Sequence, residues 1–358
     1  MTQRFHPSQS RLISQSDAVS LRQVTDHPSI HHHPFFFVDA WDAAMRFLLL
    51  ISHRTGAPQI YIEPEAGADL VQLTDEAALA EWSVIPSKDG RWIYYVAGQE
   101  GKRVSPQTGE VETLVHFDSA QMREPGMVGA AMGTTALSAN GRYWAVPVKS
   151  GAVSRFWLID TEAQTAGVFL EAPTIGHPQF CPDDDDLILY AGPMTDRIWV
   201  TDRAGQARRI HQRAHKMQWI THEVWRPGHR SVLFVDWPKG LGEIVVETGE
   251  VRQITDFPVW HGAPDAEGQR LVCDTNFPDR GLHLLDLAGT APARFLTEPK
   301  ASSQGAHWAH PFPYNDGPVS VHAPQHTHPH PRFSPDGRQV VFTSDAGGFA
   351  QVFVATLS

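Results

Sequence analysis

Polar and apolar positions along this chain repeat on a long period. Seven times, a turn containing Asp, Asn or Gly leads into a short aliphatic and aromatic run: DAAMRFLLLIS from Asp42, SKDGRWIYYV from Ser87, SANGRYWAVPV from Ser138, PDDDDLILYAG from Pro182, RPGHRSVLFVD from Arg226, DAEGQRLVCD from Asp265 and SPDGRQVVFTSD from Ser334. The turn residues reverse the chain, and the runs read as buried or half-buried strands. Most copies lie about 40 to 51 residues apart; the last step is roughly 70 and contains a His-rich stretch at 306 to 330. A second run follows most copies, as QIYIE at 59, RFWLID at 155, RIWVTD at 197, EIVVE at 243, LHLLDL at 282 and QVFVAT at 351, whereas the second repeat lacks a clear one. A third pattern closes the unit, as LVQLTD at 70, VRQITD at 251 and ARFLTE at 293.

With an inner strand ahead of each turn, every unit has four strands, the content of a propeller blade. The expected fold is all-β, a seven-bladed β-propeller, with six and eight blades as the neighbouring alternatives. No apolar pattern at helical spacing runs beyond two turns. The segment Leu21 to Asp26, LRQVTD, copies a fourth strand with no blade before it, while the seventh repeat stops after its third strand at Ser358. That N-terminal strand is therefore expected to complete the last blade and remove an open edge. Residues 1–20 then form an N-terminal extension and 21–358 a single propeller domain.

Composition narrows the function. Apolar residues at 41% and charged residues at 19% supply a large core and exclude wholesale disorder. A net charge of −11, with no basic cluster beyond Arg208-Arg209, excludes a nucleic-acid footprint. The longest apolar stretch, Phe47 to Ile51, cannot span a bilayer, and MTQRFHPSQSRLISQ lacks a secretory apolar run, so a cytoplasmic chain with no membrane partner is expected. Cys181 and Cys273 have no metal-type spacing and are expected to be small buried hydrophobes. The run PDDDDL at 182 to 187 reads as a blade turn, since it lacks calcium-loop spacing. GxSxG, P-loop, GxGxxG and HExxH motifs are absent.

The unusual number is 20 His against 29 Lys plus Arg. Six segments precede a turn where an innermost strand begins: HHHPFF at 31, AEWSVI at 80, GHPQF at 176, THEVW at 221, VWHGA at 259 and HTHPHPRF at 326; five of the six carry histidine. Equivalent inner-strand positions ring one mouth of a propeller channel, so distant histidines become neighbours there. Neutral imidazole is a good ligand for a divalent transition metal. His328 and His330, two apart, project to one side of a strand, and the Gln325 amide could add an oxygen donor. Three nitrogens, one oxygen and water suit Mn²⁺ better than a closed zinc site. His31, His32, His33, His307, His310, His322 and His326 read instead as solvated loop residues, with no role assigned to the first three.

The segments IGHPQFCPDDD at 175, DRIWVTDRAG at 196, THEVWRPG at 221, VWHGAPDAEG at 259 and QHTHPHPRFSPDGRQVVFTSD at 325 resemble, in the same order, those of the oligogalacturonate lyases. These are seven-bladed propellers that cleave short pectic oligosaccharides by β-elimination. The resemblance implies manganese on His261, Gln325, His328 and His330, a catalytic base at His222, and a substrate-binding and catalytic arginine at Arg197, with His177 as a substrate contact. The implied partner is a short acidic oligosaccharide. AHWAHPFPYNDGP, within 299 to 324, stands where the family carries an acidic stretch, so the resemblance does not extend to the chain length, linkage or uronic acid recognised. The competing expectation is a non-catalytic propeller scaffold that binds a protein or peptide partner on its rim and holds no metal.

Overall fold

A continuous apolar run such as LLLIS or IYYVA is what a strand buried on both faces requires, and in the computed structural model these runs lie second from the channel in their blades, fully buried. The structure describes residues 4–16, 18–118, 133–302 and 327–358. They form seven antiparallel sheets of four or five strands. Blade one comprises His31–His32, Leu48–Ser52, Gln59–Glu63 and Leu70–Gln72, and blade two Ile85–Pro86, Ile93–Ala97, Glu100–Val104 and Val111–His116. Blade three is Ala136–Leu137, Tyr143–Ser150, Val153–Asp160 and Thr165–Ala172; blade four is Gly176–Cys181, Asp184–Ala191, Ile198–Asp202 and Arg208–Arg209. Blade five runs Trp219–Arg226, Ser231–Trp237, Gly240–Val245 and Val251–Thr255, and blade six Gly262–Pro264, Arg270–Cys273, Leu282–Asp286 and Arg294–Thr297. Blade seven takes Arg332–Phe333, Gln339–Ser344 and Gln351–Leu357 from the C-terminus and Val19–Gln23 from the N-terminus. Among the described residues no helix is long and apolar enough to cross a membrane.

The core is a ring of clusters, most of them lying between adjacent blades. Leu49 and Ile60 of blade one pack with Tyr95 of blade two, and Tyr94 and Val96 on the other face of blade two pack with Trp144 of blade three. Leu189 of blade four meets Val232 of blade five, and Val341 and Val352 of blade seven meet Leu50 and Tyr61 of blade one. Blade six lies within one cluster and each of the other blades borders two, and full burial of an aliphatic side chain in one of them stabilises by about 1.5–3 kcal/mol. Cys181 and Cys273 are buried free thiols within this packing.

The ring closes by five register pairs between Val19–Gln23 and Gln351–Leu357. Arg22 on the closing strand also donates to both oxygens of Glu63 in blade one, at 2.6 and 2.9 Å, which ties the last blade to the first. Segments ahead of it join the sheets too: Arg4–His6 pairs with Leu70–Gln72, and Arg11–Gln15 pairs with Val19–Gln23.

Two readings differ from the structure. Blade two does have a third strand, Glu100–Val104, hidden in sequence by its charges. Lys102 lies between Glu76 and Glu100, at 3.1 and 2.8 Å, and Arg103 sits 4.2 Å over the Trp92 ring, so the pattern is polar because each charge has a partner in place. His31, His32 and His33 are not solvated but almost wholly buried. Burial pushes His31 down to about 3 and His33 down to about 4, so both are neutral at pH 7.

Deletion of residues 1–16 removes two flanking strands and leaves the closing strand; deletion of 1–24 removes the closing strand and with it the buried Val19 and Val24. Thermal unfolding followed by circular dichroism should show a drop of a few degrees for the first and of roughly 10 °C or more, or no cooperative transition, for the second. Equal drops would mean that the N-terminal strand does not close the ring.

Candidate active site

Histidines stand at or just before the inner strands of blades four to seven. His177 lies in Gly176–Cys181 and His222 in Trp219–Arg226, His261 precedes Gly262–Pro264, and His328 and His330 precede Arg332–Phe333. The inner strands of blades four and five slip register between Gly176 and Gln179 and between Thr221 and Val224. Inside those slips the backbone turns left-handed, with φ of 49° at His177 and 53° at His222; His330 has φ of 49°. Such a conformation costs a non-glycine residue on the order of 1 kcal/mol or more and is kept where the surroundings enforce it. A bulge re-aims a side chain, which is how His177 and His222 leave the alternation of their strands.

The rings gather tightly. His261 lies 4.2 Å from His222, 4.2 Å from His330 and 5.0 Å from His328, measured between ring centroids. One ring nitrogen from each of His261, His328 and His330 falls within 4.8 Å of the others. Blade one supplies an aromatic floor: Phe36 is 5.3 Å from His261, and Phe35 is 4.6 Å from His330 and 5.4 Å from His177.

Hydrogen bonds fix which nitrogen carries the lone pair. The Nδ1–H of His222 donates to the Trp260 carbonyl at 2.5 Å, and the Nδ1–H of His261 donates to Asp274, 2.9 Å from the nearer oxygen. In both rings Nε2 is left as the acceptor. Asp274 also accepts the backbone N–H of His261 at 2.7 Å and of His330 at 3.3 Å, so one carboxylate orients the His261 ring and ties the backbones of two clustered histidines together. A carboxylate behind a ligating imidazole is the usual support of a metal-bound histidine. Burial pushes Asp274 up to about 8, against the pull of the N–H groups aimed at it, and it is in its ionised form that it accepts the His261 Nδ1–H. Burial, then the neighbouring imidazoles, holds His222, His261 and His330 well below their ordinary range, so they present neutral rings.

These residues fit a divalent cation. His330 Nε2 is buried with no hydrogen-bond partner, an arrangement that costs about 1–3 kcal/mol unless something electrophilic faces it. Three clustered imidazoles, with the His261 tautomer set by Asp274, provide that demand and the donors to meet it. Gln325, expected as the fourth donor, lies outside the described residues, as do His307, His310, His322 and His326.

Arg197 and His177 form a second group at the same mouth. Arg197 grips Glu223 with two parallel bonds of 2.8 and 3.0 Å, and its Nη2 is 3.5 Å from His177 Nδ1. Burial works to raise Glu223, but Arg197 and His177 outweigh it and hold the carboxyl well below the usual range. The sequence reading omitted Asp274, Glu223, Phe35 and Phe36. Glu223 follows His222 in THEVW and Asp274 ends LVCD, so the signal was an acid beside a bulge or at a strand end.

A seven-bladed propeller thus converges imidazoles, a buried arginine and acid partners on one mouth, a set of donors that could hold a divalent cation. The sequence profile described as oligogalacturonate lyase matches residues 148–358, and the chain belongs to that family. It is 28% identical over 213 residues to the oligogalacturonide lyase of Pectobacterium atrosepticum, covering 55% of this chain and 53% of that protein. It is likewise 28% identical over 214 residues to the oligogalacturonate lyase of Dickeya dadantii, covering 55% and 54%. The chain thus matches about half the length of these curated relatives. Among solved structures, an oligogalacturonate lyase in complex with manganese superposes with a TM-score of 0.81 at 21% identity, over 100% of this chain and 98% of that one. The oligogalacturonate lyase of Vibrio parahaemolyticus superposes at 0.80 and 19% identity, over 99% and 98%. At these identities the superpositions establish a shared fold.

Glu223→Gln removes the carboxylate that grips a buried guanidinium, a loss worth about 3–5 kcal/mol for such pairs. The urea midpoint should fall accordingly. An unchanged midpoint would mean that this carboxylate does not hold Arg197.

Proposed function

We propose that this chain is a metal-dependent lyase that cleaves short oligogalacturonides or related uronides by β-elimination. The observation that carries the reading is a neutral His222, its Nε2 free by tautomer, 4.2 Å between ring centroids from the His261 of a three-histidine cluster. Membership of the oligogalacturonate lyase family supports the substrate class, and the manganese named for one structural neighbour supports the metal.

In a 1,4-linked uronide the proton on C5 is α to a carboxylate, and removing it builds a second negative charge on that group. His222 Nε2 accepts the C5 proton; the electron pair forms the C4–C5 double bond, the C4–O bond breaks, the departing oxygen takes a proton from solvent water, and the His222 imidazolium returns its proton to solvent. General-base participation of this kind contributes typically 10²–10⁴-fold. Arg197, held rigidly by Glu223 beside His177, offers fixed positive charge to the carboxylate where it develops. A divalent cation held by His261, His328 and His330, with Gln325 as the expected fourth donor and Mn²⁺ as the ion the family implies, supplies the remaining charge neutralisation. Asp274 keeps the cluster oriented, and the buried phenylalanines exclude water from beneath it.

The test mixes Mn²⁺-loaded protein with galacturonate oligomers and follows the ultraviolet absorbance of the unsaturated uronide. Wild type should give a rising signal with no water added to product mass; His222→Ala should lose roughly 10²–10⁴-fold in kcat/KM, and His261→Ala or chelation should abolish metal-dependent turnover. Loaded protein that produces no unsaturated product from any uronide would overturn the reading and favour the scaffold.

A further inference from the structure

A second set of donors lies where blades one and two meet. His32 comes from the inner strand His31–His32, His53 follows the strand Leu48–Ser52, and Glu81 opens the short 3-10 turn Glu81–Ser83 that precedes the inner strand of blade two. His32 Nε2 is 3.1 Å and His53 Nε2 is 2.7 Å from one and the same oxygen, Glu81 Oε2. All three ligand atoms fall within 4.8 Å of one another.

The hydrogen-bond pattern leaves a place for a cation. His32 Nδ1 is 2.9 Å from the His33 carbonyl, which can only accept, so Nδ1 carries the hydrogen. In the neutral ring Nε2 then holds a lone pair, pointed at a carboxylate oxygen. Two acceptors at 3.1 Å repel unless a proton or a cation lies between them. A proton on His32, with His53 in its Nε2–H tautomer, satisfies the contact in the absence of metal, and a divalent ion that displaces these protons meets both nitrogens and the oxygen together. Zinc–nitrogen and zinc–oxygen bonds of about 2.0–2.2 Å at tetrahedral angles place donors about 3.3 Å apart, so the separations observed require shifts of about half an ångström.

The supporting residues have the character of a metal site. The His33 carbonyl sets the His32 tautomer, the role an outer-shell acceptor plays for a ligating histidine, and Trp82 packs on the His32 ring at 4.4 Å. His32 is buried, while His53 and Glu81 side chains are 24% and 23% exposed, which gives an ion a route in from solvent. Trp82 separates this group from the cluster above, its ring lying 5.9 Å from His330.

We propose that His32, His53 and Glu81 form a second divalent-metal site with a zinc-type donor set of two nitrogens and one oxygen, leaving one coordination position to water or an anionic oxygen. Metal-stripped full-length protein titrated with Zn²⁺ and with Co²⁺ by calorimetry, with elemental analysis of the loaded protein, tests it. Wild type should take up two equivalents, and the His261→Ala/His328→Ala double variant should retain one with the visible spectrum of four-coordinate Co²⁺. Glu81→Gln and His53→Ala, each checked for native circular dichroism, should take up one. A double variant that binds none, or a folded Glu81→Gln that takes up as many equivalents as wild type, would overturn the proposal; the first outcome decides it even if the single variants fail to fold, and a wild type that binds one equivalent which the double variant keeps supports it.

Discussion

Everything at the channel mouth depends on the ring staying closed. The imidazoles come from four blades spread over more than 150 residues of sequence, and none of them contacts another through local structure apart from His328 and His330. What holds them at contact distance is the circle of clusters between blades and the hydrogen bonds of Val19–Gln23 to Gln351–Leu357 that complete it. An open ring would let blades seven and one separate. The Phe35–Phe36 floor, carried by blade one, would then leave His330, carried by blade seven. Closure is therefore a requirement for the site as well as for stability.

Inside the ring the governing problem is desolvation. Buried imidazoles are driven to their neutral form, and a neutral imidazole needs one donor contact and one acceptor contact. Asp274 and the Trp260 carbonyl take the Nδ1–H groups of His261 and His222, while His33 turns its Nε2 toward the carbonyl of Pro329, the residue between His328 and His330. The lone pairs that remain face the shared space. The left-handed backbone at His177, His222 and His330 is the conformational cost of this aim, at the positions where a regular strand would have sent the side chain elsewhere.

The repeat was legible because burial on both faces forces continuous apolar runs, and a seven-fold recurrence of such runs after turns has few other readings. The strand Glu100–Val104 was not, since Lys102 and Arg103 satisfy their charges against partners that only the fold brings near. The convergence of His177, His222, His261, His328 and His330 could be read from their equivalent places before the turns; the burial of His31 to His33 could not, because a polar triplet in a loop and a polar triplet beneath a neighbouring blade look alike in sequence. Asp274 and Glu223 escaped for the same reason. Their importance lies in which nitrogen each one faces, and that is a property of three dimensions.

The central claim is that histidines of blades six and seven surround one cation, with His222 of blade five beside it and not bound to it. Anomalous scattering at the manganese edge from crystals soaked in Mn²⁺ tests this most directly. The account predicts a peak within coordination distance of a ring nitrogen of His261, His328 and His330, with the His222 ring outside the ligand shell. No peak at that position, or a peak that includes His222 among its ligands, would contradict it.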